Sequence, residues 1–107
     1  MVQTLPGADR PGTDVPQRRR LVTAVPGPKS QELMARRSAA VPPGVGTALP
    51  VFVDRAGGGV LVDVDGNSLI DFGSGIAVTS VGNAAPAVVA AVAEQTARFT
   101  HTCFMIT

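Results

Sequence analysis

His101 and Cys103 are the residue types of an imidazole–thiolate pair, and a spacing of two would put both on one face of an extended strand. Nothing beside them in sequence orients the imidazole, and an unpaired cysteine usually behaves as a small buried hydrophobe. Packing is therefore the simpler reading. Asp63, Asp65 and Asp71 offer a second cluster, suited in principle to acid–base work or a cation. Asp63 and Asp65 sit in Asp-Val-Asp-Gly-Asn, however, where turn chemistry explains them better than a calcium loop does. Gly73-Ser74-Gly75 lacks both the G-x-G-x-x-G spacing and the Lys-Ser/Thr of a P-loop, so it reads as a turn needing positive φ or a close backbone approach. Lys29 is the sole lysine and lies between Pro28 and Ser30, a poor place for a desolvated amine. With one cysteine and one histidine, the chain falls short of a structural zinc set, and no metal site is expected.

The elements that would position these residues come from 107 residues, enough for one small domain or a piece of a larger one. Hydrophobic residues make up 45% and charged residues 16%, which is globular in character, but without Trp or Tyr there are few large side chains to anchor a core. A net charge of +1 selects neither nucleic acid nor an anionic membrane as partner. The longest nearly apolar run, 84–93, contains Pro86 and is half the ~20 residues that a spanning helix needs. Arg18, Arg19 and Arg20 precede a short apolar run at 21–25, too brief for a secretory signal, so the cytoplasm is the default location.

Charge and proline divide the chain near residue 40. Residues 1–40 carry seven basic and three acidic side chains, residues 41–107 two and five, and eight of nine prolines lie at or before Pro50. Prolines recur too often through 1–29 for a helix or central strand, and this reads as a disordered Pro/Arg-rich tail. Ser30 is the expected cap of a first helix running to about Ala40, with Glu32 in its first turn and Pro42, Pro43 and Gly44 stopping it. Between residues 50 and 72, short β-like runs broken by Gly57-Gly58-Gly59 and Asp65-Gly66-Asn67 predict a three-stranded meander, with a type I′ turn at Asp65-Gly66. Asn83 would cap a second helix to about Phe99, with Pro86 in its first turn and Val88, Val89, Val92, Ala93, Thr96 and Phe99 on one face. The fold class expected is thus an α+β fragment: helix, three-stranded antiparallel meander, second helix. The apolar segment after Phe99 stops without a turn signal and suggests that the chain begins something longer.

Taken in order, several segments resemble the class III (fold-type I) pyridoxal-phosphate aminotransferases. They are Glu-Leu-Met-Ala-Arg-Arg-Ser at 32–38, Pro-Gly-Val-Gly at 43–46, Pro-Val-Phe-Val-Asp-Arg-Ala at 50–56, Asp-Val-Asp-Gly-Asn at 63–67, Leu-Ile-Asp-Phe at 69–72, Gly-Ile-Ala-Val at 75–78 and His-Thr-Cys-Phe at 101–104. The 101–104 ending favours the branch that acts on 4-aminobutyrate, while the middle segments are shared with acetylornithine-type enzymes. Where that family often has Gly-His before the second helix, this chain has Gly82-Asn83.

The resemblance implies residues 30–107 as the N-terminal segment of an α/β fold-type I enzyme, small-domain meander first and the start of the large domain after it. It implies a homodimer using pyridoxal 5'-phosphate to move an amino group from 4-aminobutyrate to 2-oxoglutarate. Ile76 matches a family position whose apolar side chain lines the substrate pocket, and Met105 falls near another. No catalytic or cofactor-binding residue is identified in the chain, and Lys29 does not align with the family's Schiff-base lysine. These 107 residues alone are expected to be inactive; the alternatives are another class III ω-amino-acid transaminase of the acetylornithine/ornithine type, or a non-catalytic interaction fragment.

Overall fold

The computed structural model describes residues 15–106. The expected meander is present as β1 (Val53–Gly57), β2 (Val60–Asp63) and β3 (Ser68–Ile70), antiparallel and in that order. β2 is central because its valines are the ones with a layer on top: Val60 and Val62 are 2% and 5% exposed. The β1–β2 turn has Gly58 at φ +55°, a conformation only glycine takes at no cost. At the β2–β3 turn, Gly66 is at φ +88° while Asp65 is not left-handed, so this is not the type I′ turn that the sequence suggested. It is a three-residue connection ending in a left-handed glycine. The reason is the Asp63 side chain, whose Oδ1 accepts the N–H groups of Asp65 (3.0 Å) and Asn67 (2.7 Å) and winds the loop around itself.

The stretch expected as a disordered tail differs from expectation wherever it is described; residues 1–14 lie outside the described residues. Residues 15–23 form a strap across the sheet. Val15 is buried with Val60 and Val62, and Arg20 and Ser68 exchange backbone hydrogen bonds of 3.0 and 2.7 Å. The Gln17 amide spans the β1–β2 turn, donating to Gly57 O (2.9 Å) and accepting from Gly59 N (3.0 Å). Prolines do forbid a helix or a central strand here, but they leave open an extended segment that is held by side chains and a single backbone bridge.

α1 (Pro28–Ala40) begins two residues before its expected cap. Pro28 takes the first helical position, where its missing N–H costs nothing, and the N-cap is Gly27, which has no side chain to cap with. Asp65 caps instead, from the hairpin: Oδ1 accepts the N–H of Lys29 (2.8 Å) and Oδ2 that of Ser30 (2.9 Å). A β-carbon on Gly27 would lie 2.4 Å from Asp65 Cγ, so glycine is what admits the carboxylate. Its negative charge also meets the positive end of the helix dipole, the role expected of Glu32. Ser30, third in the helix, is fully buried, and its Oγ has no hydrogen-bond partner among the described residues.

α2 (Ser74–Ala77) is a single turn, and α3 (Pro86–Arg98) follows it with Pro86 at its first position as expected. Asn83 does not cap α3; Ala85 stands at the N-cap without a side-chain bond. No residue of α3 is buried, and the face formed by Val88, Val89, Val92 and Phe99 is about half exposed along its length.

Asn67 is fully buried with four hydrogen bonds: Oδ1 accepts from Val22 N and Thr23 N, and Nδ2 donates to Thr23 Oγ1 and Asp63 Oδ2. Asn67→Ala leaves several of these partners unpaired, and urea denaturation is expected to show a loss of about 2–4 kcal/mol. Asp65 provides a pH signature. Desolvation pushes its carboxyl up, but the nearby Ser30 hydroxyl dipole, the N–H groups of Ser30 and Lys29 and the Lys29 charge outweigh it, leaving the group below its ordinary value of 3.8. A depressed folded-state value means stability that is present above pH 3.8 and lost as the pH falls through the lower, folded value. The stability gap between the protein and its Asp65→Asn variant should be flat above about pH 5 and close below pH 4; a gap that widens in acid contradicts the assignment.

Candidate functional site

The segment from Asp71 to Ala85 contains Ile76, one of the two positions that the resemblance assigns to a substrate pocket. β3 ends when Asp71 donates its N–H to Gly59 O (2.9 Å) and turns its carboxylate along the chain, where Oδ1 accepts the N–H of Ser74 (2.7 Å). Beyond that bond, Ser74, Gly75, Ile76 and Ala77 have φ of +48°, +60°, +65° and +62°, so α2 is one left-handed turn. The sequence reading placed positive φ at the Gly-Ser-Gly stretch. Gly75 meets it, Gly73 does not, and the strain falls instead on three residues with side chains. Left-handed backbone costs an L-residue roughly 1–2 kcal/mol, and a β-branched isoleucine is an outlier there. Strain of this kind collects at binding and switching sites. Its geometric result is that Ile76 stands 95% exposed at the tip of the turn.

What holds the turn lies on both sides of it. The Ser74 and Thr79 hydroxyls hydrogen bond to each other, and Val78 N–H closes on Ser74 O at 2.7 Å. Asp71 Oδ2 accepts from Asn83 Nδ2 at 3.3 Å, while Asn83 and Gly58 exchange backbone bonds of 2.9 and 2.8 Å. Gly82, at φ +86°, makes that approach possible, since a β-carbon there would meet Gly58 Cα at 3.0 Å. Asn83 is thus an anchor rather than a cap. Sequence reasoning missed the Asp71–Asn83 pairing altogether, as twelve residues separate the partners and no local pattern links them. Between residues 78–85 and the exposed face of α3 runs an apolar groove of about 640 Å³, lined among others by Val78, Val81, Val88, Val89 and Val92.

Ile76 and Met105 do not line this groove. Met105 lies in the turn at 104–106, largely exposed. His101 and Cys103 are in irregular backbone rather than a strand, and both are exposed. Asp63 and Asp65 are committed to the hairpin and to α1. Among the described residues no group of three or more His, Cys, Asp or Glu could hold a metal, and no helix is long and apolar enough to cross a membrane. For pyridoxal phosphate, the residues present do not fit. Lys29 is exposed in the first turn of α1, its N–H on Asp65, and no lysine faces a cavity.

The model of the class III aminotransferase family matches residues 41–107. A 4-aminobutyrate aminotransferase of Mycobacterium bovis is 68% identical over 91 residues, 85% of this chain and 20% of that protein. One from Mycobacterium leprae is 66% identical over 95 residues, 89% of this chain and 21% of its own length. A 5-aminovalerate aminotransferase of Pseudomonas putida is 52% identical over 77 residues, 72% of this chain and 18% of that enzyme. The chain therefore spans about a fifth of the length of the curated relatives it matches. A 91-residue match within 107 residues must take in positions 17–91, and so includes most of the strap, the sheet and the left-handed turn.

If the left-handed turn is strained as described, replacing its isoleucine by the residue that suits positive φ relieves it. Ile76→Gly should raise the thermal midpoint, by an amount equivalent to about 1 kcal/mol. Gly82→Ala should lower it by about 1–3 kcal/mol, because the added carbon meets backbone that cannot give.

Proposed function

The chain belongs to the class III aminotransferase family, and from that premise we propose that it is part of a transaminase moving an amino group from 4-aminobutyrate to 2-oxoglutarate, giving succinate semialdehyde and glutamate. The observation that carries this reading is the identity of 66–68% to the two mycobacterial 4-aminobutyrate aminotransferases, over aligned stretches that take in most of the strap, the sheet and the turn. The same reading takes the enzyme as a cytoplasmic homodimer of fold-type I, with these residues as its N-terminal segment. Pyridoxal 5'-phosphate would supply the electron sink for the amino transfer and would be held by residues other than those described here, since no lysine among them is placed to receive it.

The contribution of this chain's own residues is to substrate choice. Ile76, held outward by the left-handed turn, would form an apolar wall of the donor pocket, with Met105 as a second apolar contact. Substrates with the amino group at the end of a methylene chain, as in the names of both sets of relatives, need such a wall and offer it nothing to hydrogen bond. Asp71 acts through Ile76 by fixing Ser74.

The activity is tested by supplying the purified intact enzyme with 4-aminobutyrate, 2-oxoglutarate and pyridoxal phosphate and measuring glutamate and succinate semialdehyde. Loss of apolar contact is worth about 1–3 kcal/mol, so Ile76→Ala in the intact enzyme should lower kcat/KM for 4-aminobutyrate by about tenfold and narrow its preference over competing amino acids. Unchanged kcat/KM for all donors removes Ile76 from the pocket.

A further inference from the structure

Three arginines converge on one face of the sheet, away from the left-handed turn. The strand register sets Arg55 opposite Val62, Val62 opposite Ser68, and Ser68 opposite Arg20 of the strap. These four residues form a single cross-strand row, so their side chains share a face. Three strand spacings put the Arg20 and Arg55 backbones about 14 Å apart, a gap that two long side chains can close from either side. Arg18, two residues from Arg20 along the strap, adds a third guanidinium. Together with Pro16, Val62, Gly66 and Ser68 they line a cavity of about 220 Å³.

Among the described residues, the charges in this cavity are largely uncompensated. Arg55 pairs, among the described residues, only with its neighbour Asp54, at 3.1 Å, and both side chains are more than half exposed, a weak pairing that a better ligand can displace. Arg18 and Arg20 make no ion pair among the described residues. Val62 beneath them is 5% exposed, giving a dry floor against which a charge-assisted hydrogen bond is stronger than in water. Ser68 supplies a hydroxyl at the wall. Planar guanidinium forks match oxyanions in pairs of hydrogen bonds, and the volume suits a small ion better than a length of folded chain.

We propose that the cavity between Arg18, Arg20 and Arg55 binds a small multivalent oxyanion, a phosphate or a dicarboxylate, which ties the strap to β1. The anion adds a tie to a strap whose backbone bonds to the sheet, among the described residues, are those between Arg20 and Ser68. Binding there is independent of the transamination reading, because its measurement needs no turnover.

The test is calorimetric titration of the intact protein, loaded with pyridoxal phosphate, with inorganic phosphate and separately with succinate at constant ionic strength. The Arg20→Gln/Arg55→Gln variant is the comparison. Glutamine keeps much of the aliphatic stem over Val62, and the backbone bonds of Arg20 to Ser68 do not involve its side chain. Saturable binding of either anion, weakened about tenfold by one replacement and about a hundredfold by both, is the expected result. Hydrogen exchange of the Arg20 and Val22 amides should slow on adding anion to the protein and not to the double variant. Equal affinity in protein and variant means the ion sits elsewhere and overturns the assignment. Absence of binding overturns it as well, as does binding of an acidic peptide with none of phosphate or succinate.

Discussion

Asn67 and the two aspartates before it hold together three pieces of chain, hairpin, strap and α1, whose buried apolar contact, among the described residues, is confined to Val15 of the strap on Val60 and Val62. From one five-residue turn, Asp63 shapes the hairpin, Asn67 takes two N–H groups and a hydroxyl of the strap, and Asp65 caps α1. The buried residues tell the same story, with Val15, Val60 and Val62 on the apolar side and Ser30, Asp63 and Asn67 on the polar side. A core so divided takes its specificity from hydrogen-bond geometry, since an unmet buried amide or carboxylate costs far more than an imperfect valine contact. Register at β2–β3 therefore follows from the side chains of the turn as much as from alternation along the strands.

The apolar contribution is modest because the faces that might supply it are turned outward. α3 has the pattern of a packing helix, and its valines line a groove rather than a core. The radius of gyration, 17.2 Å, compares with the ~13 Å of a compact domain of this length. Stability of the described region rests accordingly on the sheet, strap and α1, and the helix beyond Gly82 hangs from them through the Gly58–Asn83 bridge.

What could be read from the sequence was whatever depends on neighbours in the chain. The meander, the stop of α1 before Pro42, the start of α3 at Pro86 and the apolar face of α3 all follow from local residue type and period. The strap was lost because prolines argued against regular structure, and regular structure is not what it uses. The start of α1 was misplaced for a related reason: Ser30 is a good cap in isolation, but Asp65, thirty-five residues away, does the capping, and Gly27 is small to let it in. A clue was available, since Gly-Pro opening a helix leaves orphan N–H groups that some other acceptor must meet. At Ile76 no clue existed, because nothing in a β-branched residue announces positive φ. The resemblance implies a pocket role for Ile76, and the structure adds that its backbone is left-handed.

β3 joins these two features, and it is only three residues long. At one end Asn67 and Asp65 are fixed to the strap and α1. At the other, Asp71 is fixed to Gly59 and Asn83 and grips the N–H that opens the left-handed turn. A strained turn persists only where its surroundings over-determine it. Here the determination comes through a short rigid strand whose far end is itself clamped. On the proposed role of Ile76 as a pocket wall, a shift of an ångström there would be enough to alter discrimination between donors that differ by a methylene. The buried polar turn and the exposed isoleucine are in this sense one device: the turn at residues 63–67 sets where β3 ends, and the end of β3 sets where Ile76 stands.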